Sequence, residues 1–186
     1  MPNLGLYNWM DFAIFLIVAG GLIVGYTQGM LRQIIGLAAL YLATIVATQY
    51  YLTVSKTIYG ALSVSPSRFV NLLSFLFIFF TITAIINILA ADAYQMTKLR
   101  LYPVLDHLGG SLLGLVTIII LLCLFLPIFQ FVSGEPFPYF DNAREAFVQG
   151  LENSRLVTVI YIFRPELFKA IVPWLPNGQI PSIFNL

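Results

Sequence analysis

Apolar residues run through this chain in four blocks without a single charged side chain: Phe12 to Leu31, Gln33 to Ser55, Phe69 to Ala91 and Leu108 to Gly134, each 20 to 27 residues long. A helix rises about 1.5 Å per residue, so roughly 20 residues cover the ~30 Å hydrocarbon core of a bilayer. None of the blocks has the polar face that an outer helix of a soluble bundle needs. The pattern predicts an all-α integral membrane protein. A four-helix transmembrane bundle fills residues 1–134, with spans at about 10–28, 32–52, 67–91 and 107–132, and a membrane-associated helical tail follows over 135–186.

The polar positions between the blocks punctuate them. Only Arg32 separates the first two, which predicts a tight hairpin turning near Thr27, Gln28 and Gly29 at a membrane interface, since irregular backbone is costly in lipid. Tyr7, Trp9 and Tyr26 bracket the first span, and Tyr50 with Tyr51 closes the second, as an aromatic belt does. Ser65-Pro66-Ser67 reads as an N-cap and first helical proline for the third span. Asp106 reads as the N-cap of the fourth.

After Gly134, Glu135-Pro136-Phe137-Pro138 breaks the pattern and charges return. Asn142 with Glu145 resembles a capping box for a short helix that turns Phe147, Val148 and Leu151 to one face. Leu156 to Phe163 is an apolar piece too short to span, and a further piece opens at Pro165 and stops at Pro173. These interfacial or amphipathic helices suit a surface layer with Trp174 at headgroup depth; a tail folded against the bundle end is the alternative.

Small residues recur at helical spacing: Gly21, Gly25 and Gly29 in the first span, Ala39, Ala43 and Ala47 in the second, and Gly110 and Gly114 in the fourth. Lipid supplies no hydrophobic drive between helices, so such stripes serve close backbone approach, within the chain or against another subunit. Four spans place Arg32, Asp92, Asp106 and His107 at one end of the bundle. A structural ion pair of Arg32 with Asp106 or Asp92 would lock the hairpin to spans three and four; alternatively Arg32 snorkels to headgroup phosphates. Bases near the two ends tie, Arg32, Lys98 and Arg100 against Lys56, Arg68 and Arg144, which leaves orientation open.

Composition agrees and narrows the chemistry. The chain is 60% hydrophobic and 9% charged, against about 25% charged in soluble domains, and with a net charge of +1 and no basic cluster nothing suggests nucleic acid as a partner. Met1 to Asp11 holds an acid and no base, so the first span reads as retained and not as a signal peptide. One histidine and one cysteine, Cys123, cannot build a metal site, and no cofactor motif is present. His107 stands four residues from Ser111 on the same segment, which is wrong for a serine hydrolase, and Asp92 and Asp106 sit at span ends, which is wrong for an aspartyl pair. No enzyme is expected. The polar residues inside the spans, such as Thr44, Ser74, Thr83, Asn87 and Thr117, suit interhelical bonding better than a conduction path.

Trp9-Met10-Asp11-Phe12, Gly29-Met30-Leu31-Arg32 and Leu105-Asp106-His107-Leu108-Gly109-Gly110 with Gly114 resemble the colicin V production protein family of bacterial inner-membrane proteins. Glu152-Asn153-Ser154-Arg155-Leu156 with Pro165 and Pro173 resembles the family's closing motif. The resemblance implies a multi-pass inner-membrane protein involved in toxin export or envelope homeostasis, with no established chemistry, and the family's bases point to the Arg32 end as cytoplasmic. The chain departs from the pattern where the family usually has charge: Gln28 for a base, Gln33 for an acid, His107 for Arg, and Thr117-Ile118 for Arg-Gly. What it keeps is what packing needs. The expectation is therefore a scaffold or accessory subunit, with the bilayer and either other membrane subunits or copies of itself as partners; a small transporter or pore-forming oligomer is the alternative.

Overall fold

The computed structural model describes residues 8–62, 68–96, 103–134, 141–175 and 184. Among these there is no strand. The helices are α1 (Trp9–Gln28), α2 (Met30–Leu62), α3 (Arg68–Met96), α4 (Pro103–Gly134), α5 (Asp141–Glu152) and α6 (Arg155–Ile171), followed by a 3-10 turn at Val172–Trp174. The first four are long and apolar enough to cross a membrane. Between 22 and 33% of their most apolar windows is buried inside the protein, so most of that surface needs lipid or a partner around it.

Helix α1 starts because the Asn8 side chain accepts from the Met10 N–H, satisfying one of the amides a helix start leaves open. It ends at Gly29, whose φ of 80° and ψ of 168° are open only to glycine, and whose N–H still bonds the Gly25 carbonyl. One residue thus makes the whole turn, and Thr27 and Gln28 remain helical. The expected tight hairpin is tight only there. α1 packs mainly on α4 and α2 mainly on α3, while α1 and α2 barely touch. With no hydrophobic drive in lipid, each helix settles on the surface it fits most closely, and sequence neighbours have no privilege.

Several boundaries differ from the sequence pattern. α2 runs on to Leu62 and α3 to Met96, because a helix does not stop where hydrophobicity stops unless a breaker intervenes. Pro165 lies inside α6, which is one helix and not two pieces; the proline costs one backbone bond but the flanking turns carry on through it. Pro127 is likewise inside α4 and fully buried. α5 begins at Asp141, which puts Asn142 inside the helix; Phe147, Val148 and Leu151 do face inward. Ser65-Pro66-Ser67, Lys98 and Arg100 lie outside the described residues.

Two large apolar cores, and a small third one of Ile45, Ile171 and Leu175, hold the tail to the bundle. In one, Met10 and Ile14 of α1, Cys123 and Leu126 of α4, Leu151 of α5 and Val157 and Ile160 of α6 are all buried together. In the other, Leu72, Phe75 and Phe79 of α3 pack on Ala43, Ala47 and Tyr51 of α2, Leu124 of α4 and Phe168 of α6, and Phe184 closes it edge-on to Phe75. α6 therefore begins in the first core and ends in the second, and it staples the α1–α4 pair to the α2–α3 pair. The backbone at the end of α6 and in the turn after it adds to this: Tyr41 of α2 donates to the Ala170 carbonyl at 3.0 Å and Gln49 to the Trp174 carbonyl at 2.9 Å. Tyr161, on α6, has its hydroxyl buried with no hydrogen-bond partner among the described residues, and burial pushes the phenol above its ordinary value.

Candidate functional site

The functional residues fall into a seam, two latches and a cavity. Along the seam, Gly21 and Gly25 of α1 meet Gly110 and Gly114 of α4 backbone to backbone. A Cβ added at Gly25 would collide with the Gly110 carbonyl oxygen, and one at Gly114 with that of Gly21. Such approach lets oxygen acceptors of one helix meet donors of the other: Ser111 Oγ donates to the Leu22 carbonyl at 3.2 Å, and His107 Nδ1–H to the Tyr26 carbonyl at 2.6 Å, with the two rings stacked at 4.8 Å. Ala39, Ala43 and Ala47 are completely buried, and the last two pack against α3.

The first latch closes this seam at the Gly29 turn. Asp106 Oδ1 accepts from the Met30 N–H at 2.8 Å, so its carboxylate caps α2 across the bundle. It does not cap its own helix, as the sequence suggested, because it already lies in the first turn of α4. A negative group at the start of α2 also faces the positive end of that helix dipole. Gly29 is required twice over, by its φ and because a Cβ there would collide with the Asp106 carboxylate. Gly29→Ala should therefore cost about 2 kcal/mol or more. In a double-mutant cycle followed by thermal unfolding in detergent, adding Asp106→Ala should lose less than the sum of the single changes, because the clash and the hydrogen bond vanish together.

The second latch lies at the opposite end of α1. Asn8 Nδ2 donates to the Gly150 carbonyl at 2.6 Å, gripping the end of α5. Asp11 Oδ1 accepts from Ser154 Oγ at 2.5 Å and from the Leu156 N–H at 3.0 Å, gripping the start of α6. Ser154 in turn accepts from the Val157 N–H, so one acid and one hydroxyl share the open amides of that helix start. Trp9 lies flat over Gly150, where a Cβ would meet its indole nitrogen. The sequence reading missed Asn8 and Asp11 as tail contacts. Ser154 before an apolar run does carry an N-cap signal, but nothing local links it to an acid 143 positions earlier.

The cavity opens in the wedge that α1 and α2 leave between them. Its volume is about 470 Å³, and all four long helices line it. Gln28, Arg32, Gln33, Thr83, Asn87 and Thr117 form its polar wall. Gln33 is 6% exposed and donates through Nε2 to Gln28 Oε1 at 3.1 Å. Asn87 Nδ2 bonds the Thr83 carbonyl and Thr117 Oγ1 the Leu113 carbonyl, both at 2.8 Å, while Thr83 Oγ1 is buried without a partner among the described residues. Leu40, Phe79 and Leu121 line its inner end, so the lining turns apolar there. The cavity is a slot that covers the Gly29 half of the long helices.

Three positions where the chain departs from the resemblance's charges, Gln28, Gln33 and Thr117, thus share one wall. Arg32 stands on that wall, exposed, while Asp106 is engaged at the latch. Asp92 belongs to α3, and its side chain lies outside the described residues. Among the described residues no three His, Cys, Asp or Glu side chains cluster as metal ligands would.

A family model described as Colicin V production protein matches residues 10–162. No curated protein and no solved structure gives a match. The matched stretch contains Asp11, Gly29, Asp106 and Ser154 of the two latches, while Asn8 lies just before it.

Proposed function

Since the chain belongs to the colicin V production protein family, we propose that it is a non-catalytic scaffold or accessory subunit of a membrane assembly in the bacterial inner membrane, serving export of a toxin or envelope homeostasis. The observation that carries this reading is the reach of the slot. Its lining covers Gln28 to Ile17 of α1 and Arg32 to Leu40 of α2, about half of a ~30 Å hydrocarbon core, and its polar residues give way to Leu40, Phe79 and Leu121, so the slot supplies no polar line through the other half. Conduction needs a continuous polar or wettable line. The two latches favour the same role, because one joins α2 to α4 at the Gly29 turn and the other joins the start of α1 to α5 and α6, which holds together a bundle with a large apolar exterior for partners to cover.

The polar wall of the slot favours a second reading, in which several copies assemble a transport path. Purification in mild detergent with mass spectrometry of co-eluting proteins separates the two. A stoichiometric membrane partner is the expected result. A lone homo-oligomer that supports solute flux in liposomes overturns it.

A further inference from the structure

We propose that the slot between α1 and α2 is a binding site for one anionic phospholipid, drawn from the leaflet at the Gly29 end. The inference goes beyond the scaffold reading and stands without it.

Three features of the slot carry the assignment. Its lining runs from Gln28 to Ile17 along α1 and from Arg32 to Leu40 along α2. At 1.5 Å per residue that is roughly 12 to 16 Å, about half of a ~30 Å hydrocarbon core. A partner helix would need a groove across the whole core, whereas an acyl chain of one leaflet needs only half. Next, polarity is graded in the sense a phospholipid requires. Arg32 and Gln28 lie at the mouth, beside the turn, and Phe79 and Leu121 lie at the inner, apolar end. Finally, the walls have room, since a Cβ added at Gly20 or Gly36, on opposite sides of the slot, would meet nothing within 4 Å.

The chemistry of the mouth selects the headgroup. Among the described residues of the lining Arg32 carries the charge, and a guanidinium has five N–H donors, so it can keep a partner within the protein and still offer donors to a phosphate. Asn87 Nδ2 spends one hydrogen on the Thr83 carbonyl and retains a second for an ester carbonyl below the phosphate. A choline headgroup would bring its own cation to the same mouth, so a glycerol headgroup is preferred.

The test titrates the purified full chain in maltoside micelles with phosphatidylglycerol, phosphatidylcholine or inorganic phosphate and counts bound lipid by native mass spectrometry. The expected result is one phosphatidylglycerol per chain, saturating at least tenfold lower in concentration than phosphatidylcholine and not displaced by inorganic phosphate. Gly36→Leu, which grows a side chain into the slot, should abolish the adduct, and Arg32→Gln should bring the two lipids to equal affinity. Gly20→Leu fills the slot from the other wall, and circular dichroism with elution position verifies the fold of each variant. The proposal fails if no saturable one-to-one lipid appears, if a folded slot-filling variant binds as the wild type does, if phosphate alone displaces the lipid, or if a second copy of the chain occupies the slot instead.

Discussion

Gly110→Leu should drive α1 off α4 and unfold the bundle under conditions in which the wild type stays folded. The Cβ would fall on the Gly25 carbonyl oxygen and beside the backbone of Gly29. A crowded side chain can rotate away, but a backbone cannot, so the cost lies at the upper end of overpacking, about 3 kcal/mol or more. The hydrogen bonds of His107 and Ser111 to α1 depend on the same close approach and go with it. Unfolding by titrated sodium dodecyl sulfate, followed through tryptophan fluorescence, measures the loss. Gly20→Ala and Gly36→Ala are matched controls, because a methyl there meets nothing. Both should be neutral or up to about 1 kcal/mol more stable, as alanine favours a helix over glycine. Equal behaviour of Gly110→Leu and these controls would refute the seam.

Asp11→Ala should release the start of α6 while leaving the four long helices paired. The change deletes the acceptor of two hydrogen bonds, from Ser154 Oγ and the Leu156 N–H, and strands a hydroxyl on a residue only 2% exposed. Bonds to a charged acceptor contribute about 1.5 to 3 kcal/mol each, so a combined loss near 3 kcal/mol is reasonable. That corresponds to roughly hundredfold faster amide exchange at Arg155 to Val157, since each 1.4 kcal/mol is a factor of ten. Amides in the middle of α4 should exchange at their wild-type rate. Ser154→Ala should loosen the same turn, because the serine is both donor to Asp11 and cap to Val157. If exchange at α6 is unchanged in Asp11→Ala, the latch does not hold the tail.

The sequence was most legible where one physical rule decides the matter locally. Unbroken apolar length alone identifies four helices that can cross a bilayer, and the described residues form four. A turn near Gly29 is legible because Arg32 alone stands between two apolar blocks, each long enough to span. Asp106 was legible as a helix cap but not as the cap of another helix, since capping needs only an open amide nearby and a sequence does not say whose. Pro165 was read as a boundary because proline disfavours a helix interior, yet packing of Ile160, Phe168 and Ile171 on both sides of it outweighs one lost backbone bond.

By itself, then, the sequence determined that this protein lives in a bilayer, how many apolar helices it has, which small residues allow close approach, and where charge is missing. Each of these follows from properties of residues within one turn or one span. Only the tertiary structure decided that α1 leaves its neighbour α2 for α4, that α6 staples the two helix pairs together, and that Asp11 holds Ser154. It also gathered Gln28, Arg32, Gln33 and Thr117 onto the wall of one slot. In lipid, every apolar face is equally content against acyl chains, so hydrophobicity cannot choose partners. The choice falls to shape and to the few polar groups that must meet, and both are properties of surfaces brought together from distant parts of the chain.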